Sequence, residues 1–543
     1  MLKKYFSLLT MAGILVLFQG RLIFGCTNIL VTKGASADGS TMIAYVADSH
    51  TLYGELYYFP AQDHLPGEML DIYEWDTGKY LGRIKQVPHT LAVVGNMNEY
   101  QVSIGETTFG GRHELRNPNA ILDYGSLMYI ALQRARTARE AIKVMTDLVA
   151  EYGYYSEGES FSIADPNEVW ILEMIGKGPK EKGAVWVACR VPDGYISAHA
   201  NQSRIRKFPL NDPEKCIYSK DVISFARKMG YFKGKDEDFS FADAYAPADF
   251  GALRFCEARV WDIFRRAAPS HKFSMDYVKG NPKAEPLPLW IKPDKKLSVR
   301  DVMELLRSHF EGTELDMTKD VGAGPFKLPY RWRPLIWKLD GKKYFNERAI
   351  STQQTGFSFV AQARSWLPNP IGGVLWFGVD DTYSTVYVPM YCGIKKVPYS
   401  YSSEAGSFDR FSWDSAFWVF NFVSNYAYSR YSDMIKDIQK VQRELEGKFI
   451  AEQSRIDRAA LALYKKSPEL ARDYLTKYSV DQAEMVVRRW KKLGEFLIWK
   501  YLDGNVKDEF GHVKHPGYPE EWYRTIVRET GKKFLVPEKK KKK

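Results

Sequence analysis

Residues 26–46 of the chain read CTNILVTKGASADGSTMIAYV, which is two β-type runs joined by a turn. The first run covers Asn28 to Thr32, the turn covers Ser36 to Gly39, and the second run covers Ser40 to Val46. Two such runs separated by a short glycine-containing segment predict a β-hairpin. Cys26 would lie at the outer end of this hairpin, so the strand that follows it would fix the position of its thiol.

The residues before Cys26 have the composition of a secretory signal peptide. Two lysines stand near the start, residues 5–18 are short and mostly apolar, and Gly25 is a small residue at a plausible cleavage point. We therefore predict that residues 1–25 are removed and that the mature protein is exported to a periplasmic or extracellular location.

Cleavage after Gly25 would give Cys26 both a thiol and a free α-amine. An α-amine titrates at about 7.7–8.0 and an unperturbed thiol at about 8.5, so the amine can accept the proton of its own thiol near neutral pH. One residue would then supply a nucleophile and its base.

Length and charge exclude several classes of protein. The 543 residues are too many for one small core, so one large domain or two closely packed domains are expected. The net charge is +11, but three of the cations lie in residues 1–25 and five form the tail 539–543, which we expect to be disordered. No basic segment with interleaved aromatic residues indicates a nucleic-acid partner, and no apolar segment is long enough for a membrane span.

The chain lacks the sequence patterns of metal and cofactor sites. Its histidines have no ligand spacing, and there is no phosphate-binding glycine loop, Gly-x-Ser-x-Gly or His-Glu-x-x-His motif. The irregular spacing of the five cysteines excludes zinc knuckles and Cys-x-x-Cys redox motifs. We predict no metal and no organic cofactor. The four cysteines after Cys26 could form up to two disulfides or remain isolated buried thiols.

Strand-like and helical segments alternate along the chain. Strand-like runs are frequent up to about residue 410, with a helical region near Ser126–Glu151 in between. Inside that region Thr137–Glu140 resembles a capping box, and Gly153 ends the helical run. From about Phe411 to Asp503 the periodicity is helical, and one apolar stripe is formed by Met434, Ile438, Val441, Leu445 and Phe449. This order predicts an α+β or layered αββα arrangement.

Several short blocks, spread in order over most of the chain, form a recognisable pattern. They are Cys26–Val31 with Asp38–Thr41 and Asp48–Ser49, then Asn98–Thr108, Tyr195–Ile205, Arg254–Trp261, His309–Thr313 and Gly372–Asp381. Together they resemble the N-terminal-nucleophile cysteine dipeptidases, the dipeptidase A and secernin group. The resemblance implies a four-layer αββα fold, hydrolysis of dipeptides or small peptides through a thioester, and no cofactor. Together with the order of segments along the chain, it predicts a signal peptide (1–25), a hydrolase domain (26–410), a helical C-terminal region packed on it (411–538) and a lysine tail (539–543).

The resemblance also implies roles for five residues. Cys26 matches the nucleophile, Asp48 a carboxylate that holds the α-amine, and Asn201 an amide that orients the amine or donates to the oxyanion. By looser similarity to bile-salt and penicillin acylases, Thr108 matches an oxyanion donor and Arg254 a charge-stabilising arginine.

Two arginines and one tyrosine are set apart from these assignments. We expect Arg204 and Arg259 to be salt-bridged parts of the scaffold. Tyr45 stands where the family commonly has an arginine, three residues before Asp48. Because a phenol supplies no permanent cation, the preference for dipeptides is open, and a larger peptide or another amide could be the substrate.

Two other functions and the oligomeric state remain open at this point. The chain could be an N-terminal-nucleophile amidase acting on a non-peptide acyl amide. Alternatively, Ile23–Cys26 could be a lipid-attachment site of an anchored binding protein, in which Cys26 would have neither thiol nor amine. Strand-forming residues directly after Cys26, without a flexible linker, favour the nucleophile. A homo-oligomer is possible.

Overall fold

The computed structural model describes residues 25–538, so most of the predicted signal peptide and the lysine tail 539–543 lie outside the described residues. The strands are β1 Thr27–Val31, β2 Thr41–Asp48, β3 Tyr58–Phe59, β4 Gln62–Asp63, β5 Met69–Tyr73, β6 Tyr80–Lys85, β7 His89–Thr90, β8 Val93–Val94, β9 Met97–Asn98, β10 Ser103–Gly110, β11 Gly158–Ala164, β12 Val169–Gly176, β13 Ala184–Arg190, β14 Ile196–His199, β15 Cys216–Tyr218, β16 Trp290–Ile291, β17 Ile336–Leu339, β18 Lys342–Phe345, β19 Thr355–Ala363, β20 Val374–Val379, β21 Val388–Tyr391, β22 Val506–Lys507 and β23 Val513–Lys514. The helices are α1 Tyr124–Arg134, α2 Ala138–Tyr152, α3 Val222–Lys228, α4 Phe241–Tyr245, α5 Ala258–Ala267, α6 Val299–Leu306, α7 Asn369–Gly372, α8 Ala416–Ala427, α9 Tyr431–Tyr464, α10 Pro468–Lys500 and α11 Glu520–Thr530.

Two large antiparallel sheets form the centre of the molecule. The first has seven strands in the order β16-β14-β1-β2-β19-β20-β21, and the second has eight in the order β15-β13-β12-β11-β10-β9-β8-β3. Strands β1 and β2 contact β10 and β11, so the sheets face each other where Cys26 enters the fold. This mixture of helices and sheets confirms the α+β prediction.

The predicted hairpin is the centre of the first sheet. Strands β1 and β2 pair antiparallel, with Thr27 opposite Val46 and Val31 opposite Met42. Every residue of both strands is buried, which explains why their sequences are apolar runs rather than alternating patterns. Gly39, in the turn, has a φ of +81°, a backbone conformation that favours glycine. The hairpin therefore places Cys26 at the start of a central, buried strand of this sheet.

Helices cover both sheets. Helices α1 and α2 contact strands of the second sheet, whereas α8 and α10 contact β20 and β21 of the first. The helical region predicted near residues 126–151 contains two helices. The second begins after Thr137, which accepts from the backbone N–H of Glu140 as the capping pattern predicted. The predicted end at Gly153 is confirmed, with a φ of +84°.

The C-terminal helical prediction is confirmed in outline. Helix α9 buries the stripe of Met434, Ile438, Val441, Leu445 and Phe449 that the periodicity indicated. Among residues 25–538, no helix is both long enough and apolar enough to cross a membrane. All five cysteines are free thiols, and the Sγ atoms of Cys189 and Cys216 lie 3.0 Å apart on paired strands.

Candidate active site

Cys26 lies directly before β1 with only 6% of its surface exposed. Its Sγ is 3.6 Å from the Tyr45 hydroxyl and 3.6 Å from Glu106 Oε1. The Tyr45 hydroxyl also donates to Glu106 Oε1, and its ring packs edge-on against Phe357 and Phe359. Burial, with the nearby charge of Glu106, raises the pKa of the Cys26 thiol well above its usual value. With Gly25 attached to Cys26, the thiol is therefore protonated at neutral pH.

The peptide group that precedes Cys26 is held on both sides. The Gly25 N–H donates to the Asp48 carbonyl at 3.1 Å. The Gly25 carbonyl accepts from Arg259 Nη1 at 2.9 Å and from Arg348 Nη2. A Cβ on residue 25 would lie 2.2 Å from Arg348 Nη2, so this close approach depends on glycine. The bond at which we predict cleavage is thus fixed, with two cations on its carbonyl.

Arg259 organises the surroundings of Cys26. Its guanidinium is fully buried and donates to the carbonyls of Gly25, Cys26, Phe255 and Ala200, to Thr27 Oγ1 and to Asn201 Oδ1. Burial, together with the charge of Arg348, lowers the pKa of Arg259 to about 10, which leaves it cationic at neutral pH. This side chain therefore joins α5 to the start of β1 and to the segment after β14.

Asp48, at the end of β2, is buried beside the same peptide. Its Oδ1 accepts from Thr355 Oγ1 at 2.6 Å, and its Oδ2 accepts from Arg348. Burial raises the pKa of Asp48, and the Arg348 charge opposes that shift. Arg348 therefore contacts both the Asp48 carboxylate and the Gly25 carbonyl.

Asn201 and Thr108 connect Arg259 to the second sheet. Asn201 Oδ1 accepts from Arg259 at 2.9 Å, and its Nδ2 donates to the Thr108 carbonyl at 2.8 Å. Asn201 has a φ of +61°, a left-handed conformation that asparagine tolerates better than most residues. The Thr108 hydroxyl donates to Glu159 Oε2 at 2.9 Å. The carbonyl and the hydroxyl of Thr108 therefore both have hydrogen-bond partners within the protein.

The structure links four of the five predicted site residues and places the fifth elsewhere. Hydrogen bonds through Gly25 and Arg259 link Cys26, Asp48, Asn201 and Thr108. Arg254 instead forms a salt bridge with Glu347. The arginine that contacts the Cys26 backbone is Arg259, five residues later in the same helical segment. From the sequence, Arg259 was expected to be part of the scaffold.

Sequence reasoning also missed Glu106 and Arg348 as parts of the site. Glu106 lies within the family-like block Asn98–Thr108. A carboxyl side chain in such a block is a signal by which the sequence could have identified it. Arg348 lies outside every such block, and only the tertiary structure brings it to Gly25. Arg348 and Arg333 also line a small cavity of about 30 Å³ next to this peptide.

Within residues 25–538, no group of three or more His, Cys, Asp or Glu side chains is arranged to hold a metal ion. The charged groups around Cys26 instead form ion pairs and hydrogen bonds with other groups of the same chain.

Comparison with known proteins identifies the family. Residues 25–58 and 58–444 match the family model of peptidase family C69. The chain belongs to peptidase family C69. This membership confirms the resemblance that the sequence blocks indicated, and it makes the protein a peptidase.

Curated relatives of this C69 chain carry dipeptidase names. It is 25% identical over 427 residues to "Probable dipeptidase" of Latilactobacillus sakei, covering 75% of this chain and 81% of that protein. It is 27% identical over 418 residues to "Probable dipeptidase" of Salmonella dublin, covering 73% and 86%. "Probable dipeptidase B" of Streptococcus pyogenes serotype M1 is 23% identical over 491 residues, covering 88% and 93%.

Proposed function

We propose that this C69 peptidase is an exported cysteine dipeptidase with a four-layer αββα N-terminal-nucleophile hydrolase domain and a packed helical C-terminal region. Its mature chain begins at Cys26, whose thiol is the nucleophile and whose α-amine is the base. One observation carries the proposal: the Cys26 thiol is buried against Glu106 and Tyr45, while two guanidinium groups hold the carbonyl of the preceding residue.

Cleavage after Gly25 changes the chemistry of Cys26. Before cleavage its nitrogen is an amide, and its thiol pKa is raised by burial and by Glu106. Cleavage replaces that amide with an amine, which can take the thiol proton and become a cation beside the thiolate. An adjacent cation favours the thiolate, so the same cut that creates the base also lowers the thiol pKa.

The reaction then follows from the surrounding groups. The thiolate attacks the scissile carbonyl and forms a thioester, and the ammonium of Cys26 gives its proton to the leaving amine. Water hydrolyses the thioester with the amine as base. Arg259 and Asn201 hold the Cys26 backbone in place, and Arg348, once free of the Gly25 carbonyl, is a cation available to developing negative charge.

The names of the relatives and the burial of Cys26 support a dipeptidase over the alternatives. The relatives from Latilactobacillus sakei and Salmonella dublin are both named for dipeptide hydrolysis. A lipid adduct on a side chain that is 6% exposed and contacts Glu106 would have no room without rearrangement. Tyr45, which replaces an expected arginine, keeps an acyl-amide substrate as the second candidate.

Substitution of the nucleophile tests the proposal. We expect Cys26→Ala to abolish hydrolysis of unblocked dipeptides and Cys26→Ser to lose most of it, with both variants folded by circular dichroism. Wild-type protein with a verified Cys26 amino terminus is the reference. Near-normal turnover by Cys26→Ala would refute the mechanism, and turnover of acyl amides but not of dipeptides would establish the second candidate.

A further inference from the structure

Two buried glutamates beside Cys26 have unused hydrogen-bonding capacity. Glu106 on β10 and Glu159 on β11 are only 2% and 0% exposed. Strand register places Glu159 opposite Thr108, two residues from Glu106 on the same face. Glu106 uses Oε1 for Tyr45 and Cys26, and Glu159 uses Oε2 for Thr108. Their other oxygens, Glu106 Oε2 and Glu159 Oε1, are buried and have no hydrogen-bond partner among the described residues.

This arrangement is costly without a ligand. A buried carboxylate normally has a cation or several donors, because its desolvation is unfavourable. Burial and the charge of Glu106 raise the pKa of Glu159 well above its usual range. An ammonium group would offer these two carboxyl groups three donors and a full positive charge.

The acidic character extends from this pair to the surface. The Tyr124 hydroxyl donates to Asp76 Oδ1 at 2.9 Å, and Asp76 is an exposed residue. Loss of solvation, with the charge of Glu106 contributing, raises the pKa of Asp76 to about 6. Burial, with the charges of Asp76, Glu106 and Glu159 contributing, likewise raises the pKa of Tyr124. The acidic groups from Asp76 to Glu106 therefore influence one another electrostatically.

We propose that Glu106 and Glu159 bind the free α-ammonium group of the substrate and thereby restrict the enzyme to peptides with an unblocked amino terminus. This inference rests on the proposed function, since it concerns substrate recognition at the same thiol.

The reach of the pair fits this role. In an aminoacyl substrate the α-nitrogen is about 2.5 Å from the scissile carbonyl carbon, as the N–Cα and Cα–C bond lengths require. A thiolate poised for attack lies about 3–3.5 Å from that carbon. The α-ammonium therefore lies within a few ångströms of Sγ, and Glu106 Oε1 is 3.6 Å from Sγ.

A blocked substrate would meet an unfavourable site. An N-acetyl group removes the positive charge and two of the donors, which leaves the buried carboxyl oxygens unpaired. Sites built around a substrate hydrogen bond reject analogues that lack it strongly, so we expect wild-type kcat/KM to fall by at least about 10²-fold on acetylation.

The discriminating variant is Glu159→Gln, because Glu159 does not contact the Cys26 thiol. The substrates are alanylalanine and N-acetylalanylalanine. We expect the substitution to lower kcat/KM for the free dipeptide, mainly through a higher KM, without lowering it for the acetylated one. Asp147→Asn is the matched control, since it removes one carboxylate that pairs with Lys143 on the exposed face of α2. It should leave both substrates unaffected.

A binding measurement covers the case in which the acetylated dipeptide is not turned over. Titration calorimetry with alaninamide and N-acetylalaninamide on the folded Cys26→Ala protein should show that Glu159→Gln weakens only alaninamide binding. Equal losses of binding affinity for both ligands would mean that Glu159 has only a structural role, which would contradict the inference. Equal turnover of both dipeptides by the wild-type enzyme would also overturn the inference, while the proposed function would stand. Absence of turnover of either dipeptide by matured wild-type protein would mean that the proposed function itself fails.

Discussion

At the scale of single residues, two arginines in one helical segment have different partners. Arg259 is fully buried and donates to the carbonyls on both sides of the Gly25–Cys26 bond. Arg254 forms an ion pair with Glu347 in a partly exposed position. The buried guanidinium of Arg259 has several acceptors that a lysine could not satisfy together. Arg254 pairs through two nitrogens with Glu347 rather than with the Gly25–Cys26 peptide.

Lysine substitutions separate the two arginines. We expect Arg259→Lys to lower kcat/KM for a dipeptide by about 10²–10³-fold, the usual cost of losing one preorganised donor at a reacting centre. Arg254→Lys should stay within about fivefold, because Arg254 pairs with Glu347 rather than with the groups that surround Cys26. Steady-state kinetics measures both, with thermal melts to confirm folding. A large loss at Arg254 and none at Arg259 would reverse the assignment that the contacts support.

At the scale of elements, one histidine joins the two sheets. His199 on β14 of the first sheet bonds Thr107 on β10 through Nδ1 and Ser162 on β11 through Nε2, both at 2.7 Å. It is fully buried, and burial, with the charge of Arg204 contributing, lowers its pKa to about 3. The imidazole is therefore neutral in the folded protein at any pH at which the protein would be assayed.

Acid should weaken this connection between the sheets. An unfolded histidine binds a proton below about pH 6.5, whereas folded His199 binds one only near pH 3, so stability falls as pH decreases through this window. From pH 7.5 to pH 5 the stabilisation lost is about 2 kcal/mol. Urea unfolding of wild type and His199→Gln at both pH values measures it as a shrinking difference, since other titrating groups cancel. A pH-independent difference would contradict the assignment.

At the scale of the whole molecule, the two sheets and the helices around them enclose Gly25 and Cys26, where we propose that the mature chain begins. The hairpin, α5 and the segment containing Arg348 all converge on Gly25 and Cys26. The amine created by cleavage would therefore form inside a preorganised set of hydrogen bonds rather than on a free end.

Intact-mass measurement of the exported protein tests this arrangement. We expect a polypeptide that begins at Cys26 with no adduct, because both its amine and its thiol are needed for catalysis. The comparison sample is Cys26→Ala from the same preparation. A diacylglyceryl or acyl adduct on Cys26 would exclude the catalytic role, and a chain that retains Gly25 in an active enzyme would exclude the α-amine as base.

Much of the architecture could be predicted from local sequence. The apolar runs on either side of Ser36–Gly39 predicted the central hairpin, and the stripe on α9 predicted a buried helical face. These features depend on neighbouring residues, whose periodicity and turn chemistry are visible in the chain. The capping pattern at Thr137 likewise predicted where α2 begins, because a capping side chain binds backbone only a few residues away.

The site could be predicted only where its residues lie in ordered blocks. Cys26, Asp48, Asn201 and Thr108 were predicted in this way, and hydrogen bonds connect them in the structure. Arg254 was preferred to Arg259 by looser similarity to bile-salt and penicillin acylases, and sequence spacing does not show which arginine faces Cys26.

The sequence by itself determined the family, the nucleophile candidate and the strand that carries it, because these depend on residue types in a fixed order. Tertiary structure alone decided which groups surround that nucleophile. Arg348 is more than 300 residues from Gly25 in the chain, and the unpaired oxygens of Glu106 and Glu159 become apparent only when strands β10 and β11 bury them together. Burial fixes two arginines on one carbonyl and leaves carboxyl oxygens without hydrogen-bond partners. Burial depends on how distant segments pack, and no local sequence pattern encodes it.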